Sequence, residues 1–595
     1  MCGIFGMIGK SNVVPNVLSG IEGLEYRGYD SAGIGYIEKN KVKVIKQVGE
    51  IKNLKTEVGR VNPVSFNCVA HTRWATHGKP NKTNAHPFVS TNKDFCLVHN
   101  GIIENYAELK KQLNCKFLSE TDSEVILKLI EKYYCGNMLE TLVKVSKLLK
   151  GSYALAIISS KEPDKLFVSK MVSPCVVGIS ADGTKVCSDI NGIGKVDYSY
   201  VLENNNFAVL TVDGIKIYNE KLEQVKLKKI KVEKSDINNK GKFDYFMQKE
   251  IYEIPSSVNN TVNLYQTFKE FEKVLPKAIV KKTKNIIIVG CGTAYHAGLM
   301  GRKIFEQNLN LNIKNELASE FIYLKFVPPK NTLMIFVSQS GETADTLKAL
   351  KIAKQYGLKT IAITNVKNSS ISFIADYCFY TLAGAEVAVA STKAYVSQLS
   401  MFYLLASYFK EVIMDKIGLV ENTANNLKNI SKQINLTKFN LIANNVANDI
   451  YLSQSLYMIG RNFDYVTALE SSLKLKEISY IHSEAYASGE LKHGTISLID
   501  NNTFVFAFLT EKDLLEKSLS NVNEVISRGG KVILLTQYNL KSDNVYKLIK
   551  LNNIEEFYMP IVVIVIMQLI AFHVSVLKKL NPDKPRSLAK SVTVE

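Results

Sequence analysis

Asn285-Ile286-Ile287-Ile288-Val289-Gly290 reads as a strand that runs through a short loop, Cys291-Gly292-Thr293, into a helix. About 170 residues later Ser455-Leu456-Tyr457-Met458-Ile459-Gly460 does the same. Thr332 to Val337 and Gly357 to Ile363 form two further strands around a helix, and Thr503 to Phe508 and Gly530 to Leu535 repeat them at a similar offset. Alternation of strand, loop and helix implies a parallel sheet flanked by helices. Any doubly wound domain has this rhythm, but a spacing that holds at three points favours two copies of one α/β unit. We place them at 243–420 and 421–595.

Working back from the first copy, residues 229–242 are polar, charged and without periodicity, as a linker would be. Residues 2–228 mix short β-type runs, such as Val42 to Ile45, Ala154 to Ile158 and Phe207 to Leu210, with helical stretches such as Ser123 to Tyr134. That mixture predicts an α+β domain, so the chain divides into three domains. The nine cysteines include no Cys-x-x-Cys pair, so neither zinc nor a disulfide framework is indicated, and free thiols suit a cytoplasmic location. No secretory signal is visible. The apolar run Ile561 to Phe572 is too short for a bilayer and predicts a buried helix. The net charge of +18 is spread over the chain, without the clustered basic face that nucleic-acid binding needs. It leaves a positive field that attracts anionic metabolites.

Cys2 becomes the first residue if Met1 is removed, and Cys is small enough for that processing. One residue would then carry a thiol and a free α-amine. The amine titrates at about 8 and the thiol at about 8.5, so the amine can take the thiol's proton near neutrality. A thiolate attacking an amide needs two donors for the developing oxyanion. Asn100-Gly101 supplies a side-chain amide and a backbone N–H, although Asn-Gly is also a common turn. A free amino-acid substrate needs a bidentate cation and an anion, and Arg73 and Asp122 are of those types. Asp122 is equally suited to capping the helix that follows it.

Four segments carry a resemblance: Cys2-Gly3-Ile4, Glu25 to Gly33, Thr72 to Gly78, and His99 to Asn105. Together they resemble the N-terminal-nucleophile glutaminase domain of the glutamine–fructose-6-phosphate aminotransferases (isomerizing), with its αββα layers. The resemblance implies that Cys2 forms the glutamyl thioester and that Asn100 and Gly101 make the oxyanion hole. Arg73 and Asp122 would hold the glutamine, Thr76, His77 and Arg27 would support the pocket, and Trp74 would gate ammonia.

In the first α/β copy, Ser338-Gln339-Ser340-Gly341-Glu342-Thr343 lies between a strand and a helix. Hydroxyls beside free N–H groups at a helix start make a phosphate cradle, or else only a Ser-rich cap. The absence of a following Lys-Ser/Thr argues against a nucleotide loop. In the second copy Glu511-Lys512-Asp513 stands at this place, and phosphate binding is expected to be lost there. Glu470, Lys474 and Glu477 share one helical face, a pattern that alone describes a surface ion-pair ladder.

These segments, with Met247 to Glu253, Val387 to Tyr395, Gly489 to Gly494 and Ala589 to Glu595, resemble the two doubly wound sugar isomerase (SIS) domains of the same family. The resemblance implies that Ser338, Gln339, Ser340 and Thr343 bind the sugar phosphate and that Thr293, Val389 and Ser391 line the sugar site. Lys590 would form a Schiff base at C2 of the opened ketose. His493 would assist ring opening from a neighbouring subunit, and Glu477 would move a proton between C1 and C2 with Lys474 nearby. It further implies a homodimer acting on L-glutamine and fructose 6-phosphate, with no metal or other cofactor and no nucleic-acid or membrane partner. Thr495 replaces the Pro usual in the family and 365–373 is atypical, but no proposed catalytic group is missing. A paralogue using another sugar phosphate or running as a deaminase (which the retained glutaminase residues argue against), a quiet sugar-phosphate sensor and a phosphoribosyl transferase are the alternatives. The last would need a pyrophosphate-sugar loop that the sequence lacks.

Overall fold

The computed structural model describes residues 2–74, 78–231, 239–540 and 544–592. Their contacts gather into two units: residues up to Asn239 with the tail from Ala589, and Lys240–Leu588.

The first unit is built on two antiparallel sheets. Seven strands run in the order Tyr198–Val201, Val176–Ser180, Gly183–Cys187, Gly3–Gly9, Asn67–Arg73, Ser31–Glu38, Lys41–Val48. Six more run Gly214–Tyr218, Asn206–Thr211, Glu162–Met171, Gly151–Ser159, Phe95–Ile103, Phe88–Val89. Side chains alternate across a strand. In Gly3–Gly9, Phe5 and Met7 therefore pack with Val14, Val17, Ile21, Leu54 and Val58 of the helices Val14–Glu22 and Ile51–Val61. Ile4 and Ile8 point the other way, into a core shared with Val98, Ala154, Ala156 and Val168 of the second sheet. The outer face of that sheet, with Leu97, Leu155 and Ile157, is covered by the helices Ser123–Tyr133 and Met138–Ser146. The result is four layers, αββα, with the strand behind Cys2 at the middle of one sheet.

The second unit holds two five-stranded parallel sheets. The first runs Asn312–Leu317, Asn285–Gly290, Thr332–Ser338, Lys359–Thr364, Tyr377–Tyr380. The second runs His482–Ala487, Ser455–Gly460, Phe504–Leu509, Lys531–Thr536, Lys547–Lys550. In both, the strand second in sequence lies outside the first, so the two copies share one doubly wound topology. The apolar helix Met559–Leu577 is buried from Met559 to Phe572 and forms part of a core cluster that runs through both copies. In an open parallel sheet the crevice lies where strand order reverses, outside the carboxyl ends of the strands. In the first copy this is the gap between Asn285–Gly290 and Thr332–Ser338, where the loops 291–293 and 338–343 begin.

The linker expected at 229–242 lies partly outside the described residues. Its start is not free chain: Ile230 is buried and exchanges both backbone hydrogen bonds with Ser199 at 2.9 Å.

Candidate active sites

The first site collects at the start of the central strand Gly3–Gly9. Antiparallel pairing sets Gly3 against Thr72, which brings the residues after Asn67–Arg73 beside Cys2. The Trp74 N–H donates to Cys2 Sγ at 3.3 Å. Asn100 Nδ2 and Arg27 Nε donate to the Cys2 carbonyl at 3.0 and 3.3 Å. Arg27 is anchored in turn by Asp189 at 2.9 Å. Burial pushes the Cys2 thiol up, while the Trp74 N–H and the Arg73 and Arg27 guanidiniums pull it back. Gly101 has φ 143°, and a Cβ there would stand 1.9 Å from the Ser152 carbonyl. Only glycine fits between the paired strands at that point.

Arg73 and Asp122 are both nearly buried. Arg73 donates to Gly78 O at 3.2 Å and feels the charge of Asp122, Asp30 and Glu120. Asp122 precedes the helix Ser123–Tyr133 without capping it, and accepts the Ile103 N–H at 2.8 Å instead. The capping alternative is thereby set aside. Trp74 packs edge-on against Tyr29, with ring centroids 5.8 Å apart. Thr76 and His77 lie outside the described residues. Several supports were not read from the sequence: Thr72, which accepts the Gly3 N–H at 3.1 Å, Ser188, which accepts that of Ile4 at 3.0 Å, and Asp189. Thr72 opens the quoted Thr72 to Gly78 segment, which was its only signal, while Ser188 and Asp189 follow a strand end with no local pattern to single them out.

The second site lies at the crevice of the first α/β copy. Ser338 ends its strand, accepts the Gly341 N–H at 3.0 Å, and sits 2.9 Å from the Thr343 hydroxyl. Ser340 accepts the Glu342 N–H at 3.2 Å. The Gln339 carbonyl accepts the Asn365 N–H at 3.1 Å, which holds the loop against the next strand end. Gly341 turns the loop at φ 70°, where a Cβ would meet Ser369 Oγ at 2.1 Å. The loop curls around the start of the helix Ala344–Gln355, whose first N–H groups receive no side-chain cap from Thr343.

Across the crevice, Thr293 opens the helix Thr293–Asn308 and donates to Glu470 at 3.0 Å. Lys474 Nζ reaches Thr293 Oγ1 at 2.9 Å, Glu470 at 3.3 Å and Glu477 at 2.6 Å. His296 Nδ1 closes the network on Glu470 at 2.7 Å. Glu470 and Lys474 are 0 % exposed, which overturns the surface-ladder alternative. Burial works against both charges, but each partner outweighs it: Glu470 is held below its ordinary range and Lys474 above.

The loop bearing Val389 and Ser391 is held by carboxylates that the sequence reading passed over. Glu250 accepts the Val387 and Ala388 N–H groups at 2.5 and 3.1 Å. Glu386 accepts Ser391 Oγ–H at 3.0 Å and the Thr392 N–H at 2.9 Å. The Val389 N–H donates to Asp583 O at 3.0 Å, while the Asp583 side chain takes the Phe246 and Met247 N–H groups. Glu250 and Met247 lie in the quoted Met247 to Glu253 segment, which was the available signal. His493 ends the short helix Ser488–His493 and is exposed. Lys590 lies in the tail that groups with the first unit.

In the second copy a carboxylate of the chain stands in the loop that corresponds to the Ser-rich one, and it reaches the start of the helix that matches Thr293–Asn308. Glu511 accepts the Phe463 N–H at 3.0 Å and Asn462 Nδ2–H at 2.8 Å, at the N-terminus of Asn462–Ser479. Asp464 takes the Thr510 N–H and hydroxyl at 2.8 and 2.6 Å, and burial raises its carboxyl to about 7. Internal carboxylates thus take up N–H groups at the mouth of the second crevice, at the Thr510 loop and at the start of Asn462–Ser479.

A family model described as a glutamine amidotransferase domain matches residues 71–173, and one described as a SIS domain matches 279–408 and again 449–578. Fold and sites therefore define a glutamine amidotransferase joined to a duplicated SIS module. Proteins named glutamine–fructose-6-phosphate aminotransferase [isomerizing] from Clostridium acetobutylicum and Clostridium tetani are each 41% identical to this chain, with 100% of both chains covered. The C-terminal domain of glucosamine-fructose-6-phosphate aminotransferase from Francisella tularensis superposes with TM-score 0.55 at 36% identity, covering 58% of this chain and 99% of that one. This chain belongs to the glutamine–fructose-6-phosphate aminotransferase (isomerizing) family.

Proposed function

We propose that this protein transfers the amide nitrogen of L-glutamine to fructose 6-phosphate, giving glucosamine 6-phosphate and glutamate, as a cytoplasmic homodimer. The observation that carries the reading is one chain holding both Cys2 beside Asn100 and a buried Glu470–Lys474 pair, joined to the partly exposed Glu477, across the crevice from a Ser-rich cradle.

The chemistry follows from the groups. With Met1 removed, the Cys2 α-amine takes the thiol proton, which matters because burial holds that thiol protonated. The thiolate attacks the glutamine amide carbon, and Asn100 Nδ2–H and the Gly101 N–H receive the oxyanion. Ammonia leaves, and water cleaves the thioester to glutamate. Arg73 and Asp122 bind the glutamine carboxylate and ammonium, Arg27, Thr76 and His77 shape the pocket, and Trp74 gates the ammonia. Ser338, Gln339, Ser340 and Thr343 hold the sugar phosphate, while Thr293, Val389, Ser391 and Lys474 line the sugar. His493 of a second subunit opens the ring, in keeping with its exposure here. Lys590 forms the Schiff base at C2, ammonia displaces it, and Glu477 carries a proton from C1 to C2.

Incubation with L-glutamine and fructose 6-phosphate, followed by mass, is expected to show glutamate and glucosamine 6-phosphate in equal amounts. Glutamate alone would remove fructose 6-phosphate as the acceptor. Two variants test the sugar half. Ser338→Ala deletes one hydroxyl of the cradle and should raise KM for fructose 6-phosphate about 10- to 100-fold, the worth of a charge-assisted hydrogen bond. Lys590→Ala should abolish a borohydride-trapped sugar adduct that mass spectrometry detects in the parent enzyme. An undiminished adduct would place the Schiff base on another lysine.

A further inference from the structure

His71 is fully buried in the strand Asn67–Arg73, beneath Asn100. Its Nε2 lies 3.0 Å from the His99 backbone carbonyl and 3.1 Å from Asn100 Oδ1. A backbone carbonyl only accepts, so Nε2 carries the ring proton. Nδ1 is then bare, and among the described residues it has no hydrogen-bond partner. Burial drives the ring down to about 3, so it is a neutral donor throughout the working range. His86 stacks on its face, with centroids 4.1 Å apart and planes 29° from parallel, which opposes rotation of the ring.

The Asn100 amide could in principle be turned either way. Turned over, it would set its NH2 against His71 Nε2–H, and its oxygen against the Cys2 carbonyl that Nδ2 now reaches at 3.0 Å. Both ends reject that orientation. We infer that His71 is a positioning residue for glutamine hydrolysis: its Nε2–H holds Asn100 Oδ1 and so aims Nδ2 at the Cys2 side. This rests on Asn100 being an oxyanion donor, as proposed above.

The test is a double-mutant cycle on the full chain, reading glutamate release at saturating fructose 6-phosphate. His71→Phe is expected to lower kcat about 10- to 100-fold with KM for glutamine nearly unchanged, less than deletion of an oxyanion donor costs. In an Asn100→Ala background it should cost nothing further, because its partner is gone. His71→Gln, which restores an N–H, should recover part of the rate. Multiplicative losses in the double variant, or a wild-type kcat for His71→Phe, would overturn the inference. A wild-type kcat for Asn100→Ala would instead overturn the oxyanion reading itself. Circular dichroism and the thermal unfolding of the same preparations check that the first unit folds. Independently of any variant, 15N-histidine labelling reads the tautomer: protonation of His71 at Nδ1 sinks the proposal.

Discussion

Replacement of Cys2 by Ala is expected to abolish glutamine hydrolysis, a fall in kcat on the order of 10^5-fold or more, as when other enzymes lose their nucleophile. Among the described residues no second thiol stands beside Cys2 to take over. Asn100 and Arg27 are donors held on the Cys2 carbonyl, and the other described cysteines lie elsewhere, Cys68, Cys96, Cys175 and Cys187 being buried thiols. The fold should survive. The side chain is only partly buried, and its loss removes one weak acceptor from the Trp74 N–H while the pairing of Gly3–Gly9 with both neighbouring strands is untouched. The variant should still bind fructose 6-phosphate and form glucosamine 6-phosphate when ammonium salts replace glutamine. Assay with each nitrogen donor checks this. Loss of both activities would mean that Cys2 supports structure beyond its own site.

Lys474→Met is expected to have the largest effect on stability. Lys474 and Glu470 are both completely buried, and Lys474 also pairs with Glu477. Methionine fills similar space but leaves Glu470 with only His296 and Thr293. Removing one member of a buried pair costs about 3–5 kcal/mol, because the remaining charge stays out of water. The thermal midpoint of unfolding should drop, and sugar turnover should be lost as well. The double variant Lys474→Met, Glu470→Gln should regain much of the stability without regaining turnover, since it removes the uncompensated charge but not the defect in chemistry. If the single variant were as stable as the parent, the network would have to be hydrated. The sign of the pH dependence follows too. Glu470 is held below its unfolded value, so the pair's contribution is present at neutral pH and lost as pH falls through the depressed value.

Much of the molecule is legible along the chain because it is encoded locally. The strand Asn285–Gly290 and its counterpart Ser455–Gly460 are short apolar runs that end in a loop and a helix, and their repetition alone implies the two parallel sheets. Cys2 and Asn100-Gly101 are of the residue types that the proposed nucleophile and oxyanion donors need, and Ser338 to Thr343 offers the hydroxyls of the proposed cradle. Other residues carried two meanings. Asp122 is a capping residue by position, but its side chain takes the Ile103 N–H instead of the helix start. Glu470, Lys474 and Glu477 share a helical face by spacing, but spacing does not say whether that face meets water or the helix Thr293–Asn308. Burial decided it, and burial is made by elements far apart in the chain. The same holds for His71 under Asn100, for Glu511 at the start of Asn462–Ser479, and for Asp583 holding Phe246 and Met247. Local propensity and periodicity, and with them the elements and the reactive residue types, were written in the sequence. Which polar groups lost their water, and which partners they found instead, came only from tertiary packing, because desolvation depends on neighbours that no local spacing specifies.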